Sequence, residues 1–178
     1  MNQKPNLHLI LGPMYSSKSN ELIRQLLRYH AIGKNIFCIN SKLDTRSKDN
    51  QIRTHDGVTI PASKAENLLS DINVPYNSQV IGIDEAQFFP DLIPFVQEKL
   101  KDNMIIIVAG LDGDYQQKKF GDILKLIPIA DSYQKVYALC KICQDGTPAS
   151  FTKRIVNDNQ QILVGAKESY ISVCRFHL

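Results

Sequence analysis

The stretch LHLILGPMYSSKS, residues 7–19, decides the fold of this chain. The apolar run Leu7–Leu11 predicts a short buried strand, and the helical spacing of apolar residues over Ser19–Ile32 predicts the helix that follows. Between them, GPMYSSKS departs from the phosphate-loop pattern G-x-x-x-x-G-K-[ST] at one position, because Ser17 stands where the pattern has its second glycine. The stretch therefore predicts a strand, a phosphate loop and a helix in succession.

A loop of this kind binds phosphate through its backbone. Its N–H groups cradle the phosphates, a lysine such as Lys18 reaches the terminal ones, and a hydroxyl such as that of Ser19 holds Mg²⁺. The positive end of the helix dipole lies under the same anion. The alternative is an ordinary strand–turn–helix with a surface lysine, and residues further along the chain decide between the two.

The first two-thirds of the chain alternate between strands and helices. That alternation favours a mainly parallel α/β sheet flanked by helices, with right-handed crossovers. Ser41–Pro61 is polar and turn-rich, and predicts a long loop carrying a hairpin. The further strands are predicted at Asn35–Asn40, Gln79–Ile83 and Met104–Ala109, and a second helix at Asp91–Asp102.

The pattern changes near residue 135. Short β-like runs at Gln134–Leu139, Phe151–Val156 and Gln161–Val164 are separated by Gly, Asp and Asn clusters. The sequence therefore predicts a P-loop-like core over residues 1–134 and a small β-rich unit over residues 135–178.

Composition excludes several classes of partner. The net charge of the 178 residues is only +3, with the basic residues dispersed, which argues against binding to a nucleic acid polymer. The chain has no apolar run long enough to span a membrane, and its N-terminal stretch lacks the pattern of a signal peptide. We therefore expect a cytoplasmic protein whose four cysteines are thiols or metal ligands.

Two adjacent carboxylates follow the apolar run Val80–Ile83. An acidic residue at the end of a hydrophobic strand is what a magnesium site beside a phosphate loop requires, so Asp84 is the candidate ligand. Neighbouring side chains on extended backbone point in opposite directions, which would turn Glu85 toward a nucleophile as general base. The alternative is a solvated strand end.

Cys140-x-x-Cys143 and Cys174-x-x-His177 supply four ligands of the types that Zn²⁺ prefers in a tetrahedral structural site. The alternative is a redox-active C-x-x-C pair, but such motifs open a βαβ unit and this one does not. Cys38, in the second predicted strand, is expected to be a small core residue. Asp44-Thr45-Arg46, in the long loop, could bring a guanidinium to phosphates.

With these residues assembled, the chain resembles the type II thymidine kinases, the family of the human cytosolic and poxviral enzymes. The resemblance spans about Leu9 to His177. It rests on LGPMYSSKS (11–19), DTR (44–46), THD (54–56), IGIDEAQFFPD (81–91), LDGDYQQKKFGDIL (111–124), TKR (152–154) and SYISVCRFH (169–177).

The resemblance implies a P-loop α/β core and a C-terminal zinc-binding subdomain whose lasso loop covers the nucleoside. It implies Glu85 as the base, Ser19 and Asp84 as Mg²⁺ ligands, and Zn²⁺ on Cys140, Cys143, Cys174 and His177. The residues implied for ATP and its phosphates are Gly12, Pro13, Met14, Tyr15, Ser16, Ser17, Lys18, Ser19, Asp44, Thr45, Arg46, Asp84 and Gln87. Those implied for the nucleoside are Met14, Phe88, Leu111, Tyr115, Phe120, Thr152, Gln161, Ile162, Leu163, Val164, Gly165 and Tyr170.

The activity that the resemblance implies is transfer of the γ-phosphoryl group of ATP to the 5′-OH of thymidine, in nucleotide salvage. It also implies a homotetramer and feedback inhibition by thymidine triphosphate (dTTP). Ser17, Ala86 and Tyr115 depart from the family's usual Gly, Gly and Phe, and Ala166 replaces a lasso glycine. The alternative is a nucleotide-dependent switch or a zinc-ribbon binding module without kinase chemistry.

Overall fold

The computed structural model describes residues 4–44, 50–54, 57–163 and 169–178. Its helices are α1 (Lys18–Ala31) and α2 (Leu92–Lys101), with 3₁₀ turns at Leu69–Asp71, Ala86–Phe88, Ile123–Ile129 and Arg175–His177. Its strands, in chain order, are β1 (Asn6–Gly12), β2 (Ile36–Ser41), β3 (Gln51–Arg53), β4 (Thr59–Pro61), β5 (Ser63–Ala65), β6 (Val80–Ile83), β7 (Ile105–Leu111), β8 (Ser132–Lys135), β9 (Ala138–Leu139), β10 (Pro148–Ala149), β11 (Phe151–Arg154) and β12 (Tyr170–Val173).

Six strands form one parallel sheet in the order β5-β2-β6-β7-β1-β8. Its central strands are almost wholly buried, as expected where both faces of a parallel sheet are covered. The predicted P-loop-like α/β fold is therefore confirmed. Because all six strands run the same way, the residues that follow β1, β2, β6 and β7 meet at one edge, where open α/β sheets bind their ligands.

Side chains of β1 alternate between two cores, one on each face of the sheet. Leu9 and Leu11 belong to the core that includes Leu92 of α2. Ile10 belongs to the core that includes Leu22 of α1. The sheet is thus the middle layer, and burial of both faces fixes the strand that carries the loop at residues 12–17.

A glycine lets α1 approach the sheet closely. A Cβ added to Gly82 of β6 would lie 2.5 Å from Cδ1 of Leu26, which is fully buried. A contact that short is a steric clash, so a larger residue would push α1 away from the sheet. The site residues at the start of α1 and at the end of β6 depend on this spacing.

The chain passes from the main sheet to short antiparallel strands after β8, close to the boundary predicted at residues 134 and 135. The predicted strand Gln134–Leu139 is in fact two strands, and β8 pairs with β1 in the six-stranded sheet. Beyond it, the β9–β10 and β11–β12 pairs are antiparallel and enclose a small core that includes Val173. The predicted hairpin in the long loop is confirmed as β3–β4.

The prediction of a strand at Gln161–Val164 is wrong for its described residues, Gln161–Leu163, which lie in no strand. Val164 lies outside the described residues. The carbonyl of Gln161 accepts a hydrogen bond from the side chain of Arg154 and not from the backbone of a neighbouring strand. A side-chain hydrogen bond therefore takes the place of strand pairing at this residue.

Neither α-helix in the described part of the chain combines the length and the apolar character needed to cross a bilayer.

Candidate functional site

The loop between β1 and α1 is held by its own side chains. Ser16 Oγ and Lys18 Nζ both donate to the carbonyl oxygen of Pro13, at 2.8 and 2.7 Å. Lys18 is buried although it is charged, and its ammonium lies over the loop. Tyr15 and Ser17 have φ values of 66° and 60°, in the left-handed region that favours glycine. The left-handed backbone at position 17 explains why the phosphate-loop pattern has a glycine there.

A buried hydrogen bond joins this loop to the end of β6. Ser19 Oγ donates to Asp84 Oδ2 at 2.7 Å, and the N–H of Glu85 donates to Asp84 Oδ1 at 3.0 Å. Asp84 is 1% exposed. Hydroxyl and carboxylate oxygens are the ligands that Mg²⁺ prefers, so the two residues predicted to share the ion are in contact.

Glu85 does not continue the extended strand. Its φ and ψ are 52° and 40°, so the chain turns sharply after Asp84. The prediction that the two carboxylates point in opposite directions is therefore wrong. One oxygen each of Asp44, Asp84 and Glu85 lies within 4.8 Å of the others, a group that could hold a cation. The turn brings Glu85 to the same edge of the sheet as the loop.

Gln87 lies beneath Glu85. It is buried, its Nε2 donates to Glu85 Oε2 at 2.6 Å, and its Oε1 accepts from the N–H of Leu111 at 2.9 Å. The backbone of β7 thereby fixes which end of the amide faces the carboxylate. A Cβ added to Gly110 would lie 2.7 Å from Gln87 Oε1, so this position on β7 leaves room for the amide. The resemblance implies that Gln87 contacts the nucleotide, and in the structure its amide contacts Glu85 and Leu111.

Asp44 is buried at the end of the segment that follows β2. Its Oδ2 accepts from Asn40 Nδ2 at 2.9 Å, and its carbonyl accepts from Lys64 Nζ at 3.1 Å. These hydrogen bonds hold the Asp44 carboxylate close to those of Asp84 and Glu85. The predicted contacts of Thr45 and Arg46 lie outside the described residues.

Residues predicted for the nucleoside are brought together in pairs. The N–H of Met14 donates to Thr152 Oγ1 at 3.0 Å, which ties the phosphate loop to β11. The rings of Phe88 and Phe120 meet edge to face with centroids 5.5 Å apart. Leu111 is the last residue of β7, and its N–H donates to the Gln87 amide.

Three further residues predicted for the nucleoside, Tyr115, Gln161 and Tyr170, lie around Arg154. Tyr115 and Tyr170 lie against its guanidinium, and the carbonyl of Gln161 accepts from it. The extra hydroxyl of Tyr115 accepts from Gln116 Nε2 at 3.0 Å. Ile162 is exposed and Leu163 partly so, and Val164 and Gly165 lie outside the described residues.

Two residues of this region, Arg154 and Asp114, are not among those that the sequence predicts for the site. Asp114 Oδ2 accepts from Gln161 Nε2 at 2.7 Å across 47 residues of chain, and Arg154 lies over Tyr115 of the loop after β7. Contacts between such separate parts of the chain leave no local spacing in a single sequence. The one available signal was that both lie within the blocks that carry the resemblance.

Cys140, Cys143, Cys174 and His177 form a second cluster, with ligand atoms within 4.8 Å of one another. Sγ of Cys143 and Cys174 are 3.8 Å apart, and Nδ1 of His177 is 3.6, 3.3 and 3.5 Å from the three sulfurs in chain order. Zn–S and Zn–N bonds of about 2.3 and 2.0–2.1 Å in a tetrahedron place sulfurs about 3.8 Å apart and S and N about 3.5–3.6 Å apart. The cluster could hold a zinc ion.

Cys38 takes no part in this cluster. It is buried in β2, and burial, with the nearby Asp84 carboxylate, raises the pKa of its thiol to about 12. A thiol in that state is a poor nucleophile and a poor ligand. Its expected role as a core residue agrees with its place in the sheet.

The fold and the site together define the class, a P-loop-like α/β protein whose phosphate loop faces a group of carboxylates. A family model described as thymidine kinase matches residues 5–178. A thymidine kinase of Yaba monkey tumor virus is 44% identical over 170 residues, covering 95% of this chain and 92% of the viral protein. Thymidine kinase a of Arabidopsis thaliana is 41% identical over 177 residues, covering 96% and 74%.

The cytosolic thymidine kinase of Gallus gallus is 38% identical over 169 residues, which cover 95% of this chain and 75% of the avian protein. The chain therefore belongs to the thymidine kinase family, and it is a kinase.

Ser17→Gly should stabilise the fold. Ser17 is exposed, makes no capping hydrogen bond, and has a left-handed backbone that costs a non-glycine residue about 1–2 kcal/mol. We expect the free energy of unfolding in urea to rise by about 1 kcal/mol. Ser17→Ala is the control, because it removes the hydroxyl and keeps the Cβ. An equal rise in both variants would contradict backbone strain as the cause.

Proposed function

We propose that this chain transfers the γ-phosphoryl group of ATP to the 5′-OH of thymidine, giving thymidine 5′-monophosphate and ADP. The observation that carries the proposal is the position of Glu85. Its carboxylate lies beside the Ser19–Asp84 pair, within the acidic group that faces the phosphate loop. A phosphate loop alone would suit any nucleotide-binding protein, whereas a carboxylate at this point supplies a proton acceptor where the phosphoryl group is transferred.

Each residue of the site has a proposed role. The loop amides and Lys18 bind the phosphates, and Ser19 with Asp84 would hold Mg²⁺, which neutralises charge on the phosphoryl oxygens when bound. Glu85 accepts the proton of the 5′-OH. Gln87 keeps that carboxylate oriented through its 2.6 Å hydrogen bond. Arg46 is a candidate for offsetting charge in the transition state.

The nucleoside is proposed to bind beside Glu85. The paired rings of Phe88 and Phe120 and the side chains of Met14 and Leu111 offer the apolar surface that a methylated pyrimidine would contact. The polar edge of the base would meet the segment that includes Gln161. The relatives' names support thymidine as the nucleoside.

Zn²⁺ is proposed as a structural cofactor of the four-residue cluster. Three sulfurs and one imidazole nitrogen fill a tetrahedron and leave no position open for a substrate. The two halves of the cluster come from the turn after β9 and from the end of β12. An ion there would hold the two ends of the segment 144–173 close together, and that segment includes the proposed lasso loop.

Several further properties are proposed on the resemblance and on the relatives. These are a core over residues 1–134 with a zinc-binding subdomain over 135–178, a homotetramer, feedback inhibition by dTTP and a cytoplasmic location. The cytosolic relative from Gallus gallus supports the last of them. Among the described residues, no observation favours a nucleotide switch or a zinc-ribbon module over a kinase.

Glu85→Gln should lower kcat for thymidine phosphorylation by about 10²–10⁴-fold, because the amide keeps the shape of the side chain but accepts no proton. The dissociation constant of thymidine, measured by calorimetry, should change little, since the lost interaction belongs to the transition state. Initial rates with ATP, Mg²⁺ and thymidine measure the effect.

Glu98→Gln is the matched control, because Glu98 lies exposed on α2, where its carboxylate pairs with Lys99. Its rates should equal those of the unmodified protein. Equal rates in the Glu85 variant would remove this carboxylate from the mechanism.

His177→Ala should release the metal. Metal analysis of the unmodified protein should give one zinc per chain, and the variant should bind zinc much more weakly because one of four ligands is missing. His30→Ala, at the exposed end of α1, should keep its zinc. Freshly purified, unmodified protein without zinc would defeat the assignment.

A further inference from the structure

We propose that Arg154 is a positioning residue that holds the nucleoside side of the site in its binding conformation before the substrate arrives. This inference rests on the proposed function. Arg154 ends β11, and its side chain is only 2% exposed. Burying a guanidinium is costly unless the groups around it accept its hydrogens. Both Nη nitrogens of Arg154 have acceptors and only the buried Nε has none among the described residues, so the partners of the Nη nitrogens show what Arg154 holds in place.

The guanidinium binds the segment after β11 through backbone carbonyls. Nη1 donates to the carbonyls of Asp158 and Gln160 at 2.8 and 2.5 Å, and Nη2 donates to that of Gln161 at 3.3 Å. Nη2 also donates to the hydroxyl of Tyr170. Each Nη nitrogen carries two hydrogens and makes two bonds, so these four donors are fully used.

The same guanidinium lies over the rings of two tyrosines. Its central carbon is 3.8 Å from the centroid of the Tyr115 ring and 4.9 Å from that of Tyr170. Tyr170 stands opposite Arg154 in the β11–β12 pair, whereas Tyr115 belongs to the loop that follows β7. One side chain therefore joins the β11–β12 pair, the residue 155–161 segment and the loop after β7.

A second contact supports the same arrangement. Gln161 Nε2 donates to Asp114 Oδ2 at 2.7 Å, so the segment held by Arg154 also contacts the loop that carries Tyr115. Gln161, Tyr115 and Tyr170 are residues expected to contact the nucleoside. Arg154 contacts all three directly, whereas the phosphate loop is reached only through Tyr170, whose carbonyl accepts from the Tyr15 hydroxyl at 3.1 Å. We therefore expect the effect of Arg154 to fall mainly on the nucleoside.

Lysine cannot replace this group. Its ammonium has three donors on one atom, whereas the guanidinium spreads its donors over a plane and stacks on rings. Arg154→Lys would keep the positive charge and lose both the spread of hydrogen bonds and the stacking. The residue 155–161 segment would then be ordered by the nucleoside itself, and that cost would lower its affinity.

The experiment compares Arg154→Lys with the unmodified protein in steady-state kinetics and in hydrogen–deuterium exchange. We expect KM for thymidine to rise about 10-fold or more, in line with the loss of charged hydrogen bonds, and KM for ATP to stay within about 2-fold. Amide exchange over residues 155–163 should become faster, while exchange in β1 and β7 and the zinc content stay unchanged.

Arg28→Lys is the control. Arg28 is exposed in the last turn of α1, away from the residues assigned to the substrates and to the metal. Its kinetics and exchange should match those of the unmodified protein.

An unchanged KM for thymidine, or equal rises in KM for both substrates, would overturn the proposal. So would unchanged exchange over residues 155–163. If the unmodified protein did not phosphorylate thymidine, the proposed function would fail instead, and the exchange comparison would still decide whether Arg154 holds the segment.

Discussion

The hydrogen bond between Ser19 Oγ and Asp84 Oδ2 is the contact on which the rest of the site depends. It joins the first turn of α1 to the end of β6, although β7 lies between β6 and β1 in the sheet. Such a contact is possible only where parallel strands end at a common edge and α1 packs closely on the sheet. The bare backbone of Gly82 permits that packing, since any side chain there would meet Leu26.

From this contact the site extends in two directions. Toward the phosphate loop, Lys18 and Ser16 share the carbonyl of Pro13. Toward the proposed nucleoside site, the side chain of Glu85 is held by Gln87, and that of Gln87 by the N–H of Leu111. The two directions are also linked by Met14 and Thr152. Every link is a hydrogen bond between buried or half-buried groups, which gives each side chain one orientation.

Three residues with a left-handed backbone lie at the same edge of the sheet. Tyr15, Ser17 and Glu85 all have left-handed φ values without being glycine. Each non-glycine residue in such a conformation lowers the stability of the folded state by about 1–3 kcal/mol, and the conformation persists only where the surrounding structure fixes it. Here the buried sheet on one side and the hydrogen bonds of Asp84 and Gln87 on the other fix the turn at Glu85. Strain in this position is consistent with a site whose groups are arranged before the substrate binds.

The sequence was most informative where a physical pattern is local. The apolar runs of β1, β6 and β7 and the zinc-ligand spacing could be read directly, because burial on both faces and metal coordination each leave a dense local signature. Strand β8 was misplaced because it is an edge strand with mostly exposed residues. The orientation of Glu85 depends on one backbone turn. The contacts of Gln87 with Leu111 and of Arg154 with Tyr115 join separate parts of the chain, so spacing could not predict them.

The most direct measurement follows the fate of the γ-phosphoryl group itself. The unmodified protein is incubated with Mg²⁺, thymidine and ATP labelled at the γ-phosphorus, and the products are separated. If Glu85 and the Ser19–Asp84 pair act as described, the label appears in thymidine 5′-monophosphate in step with ADP release. Label recovered only as inorganic phosphate, or retained in ATP, would contradict the account.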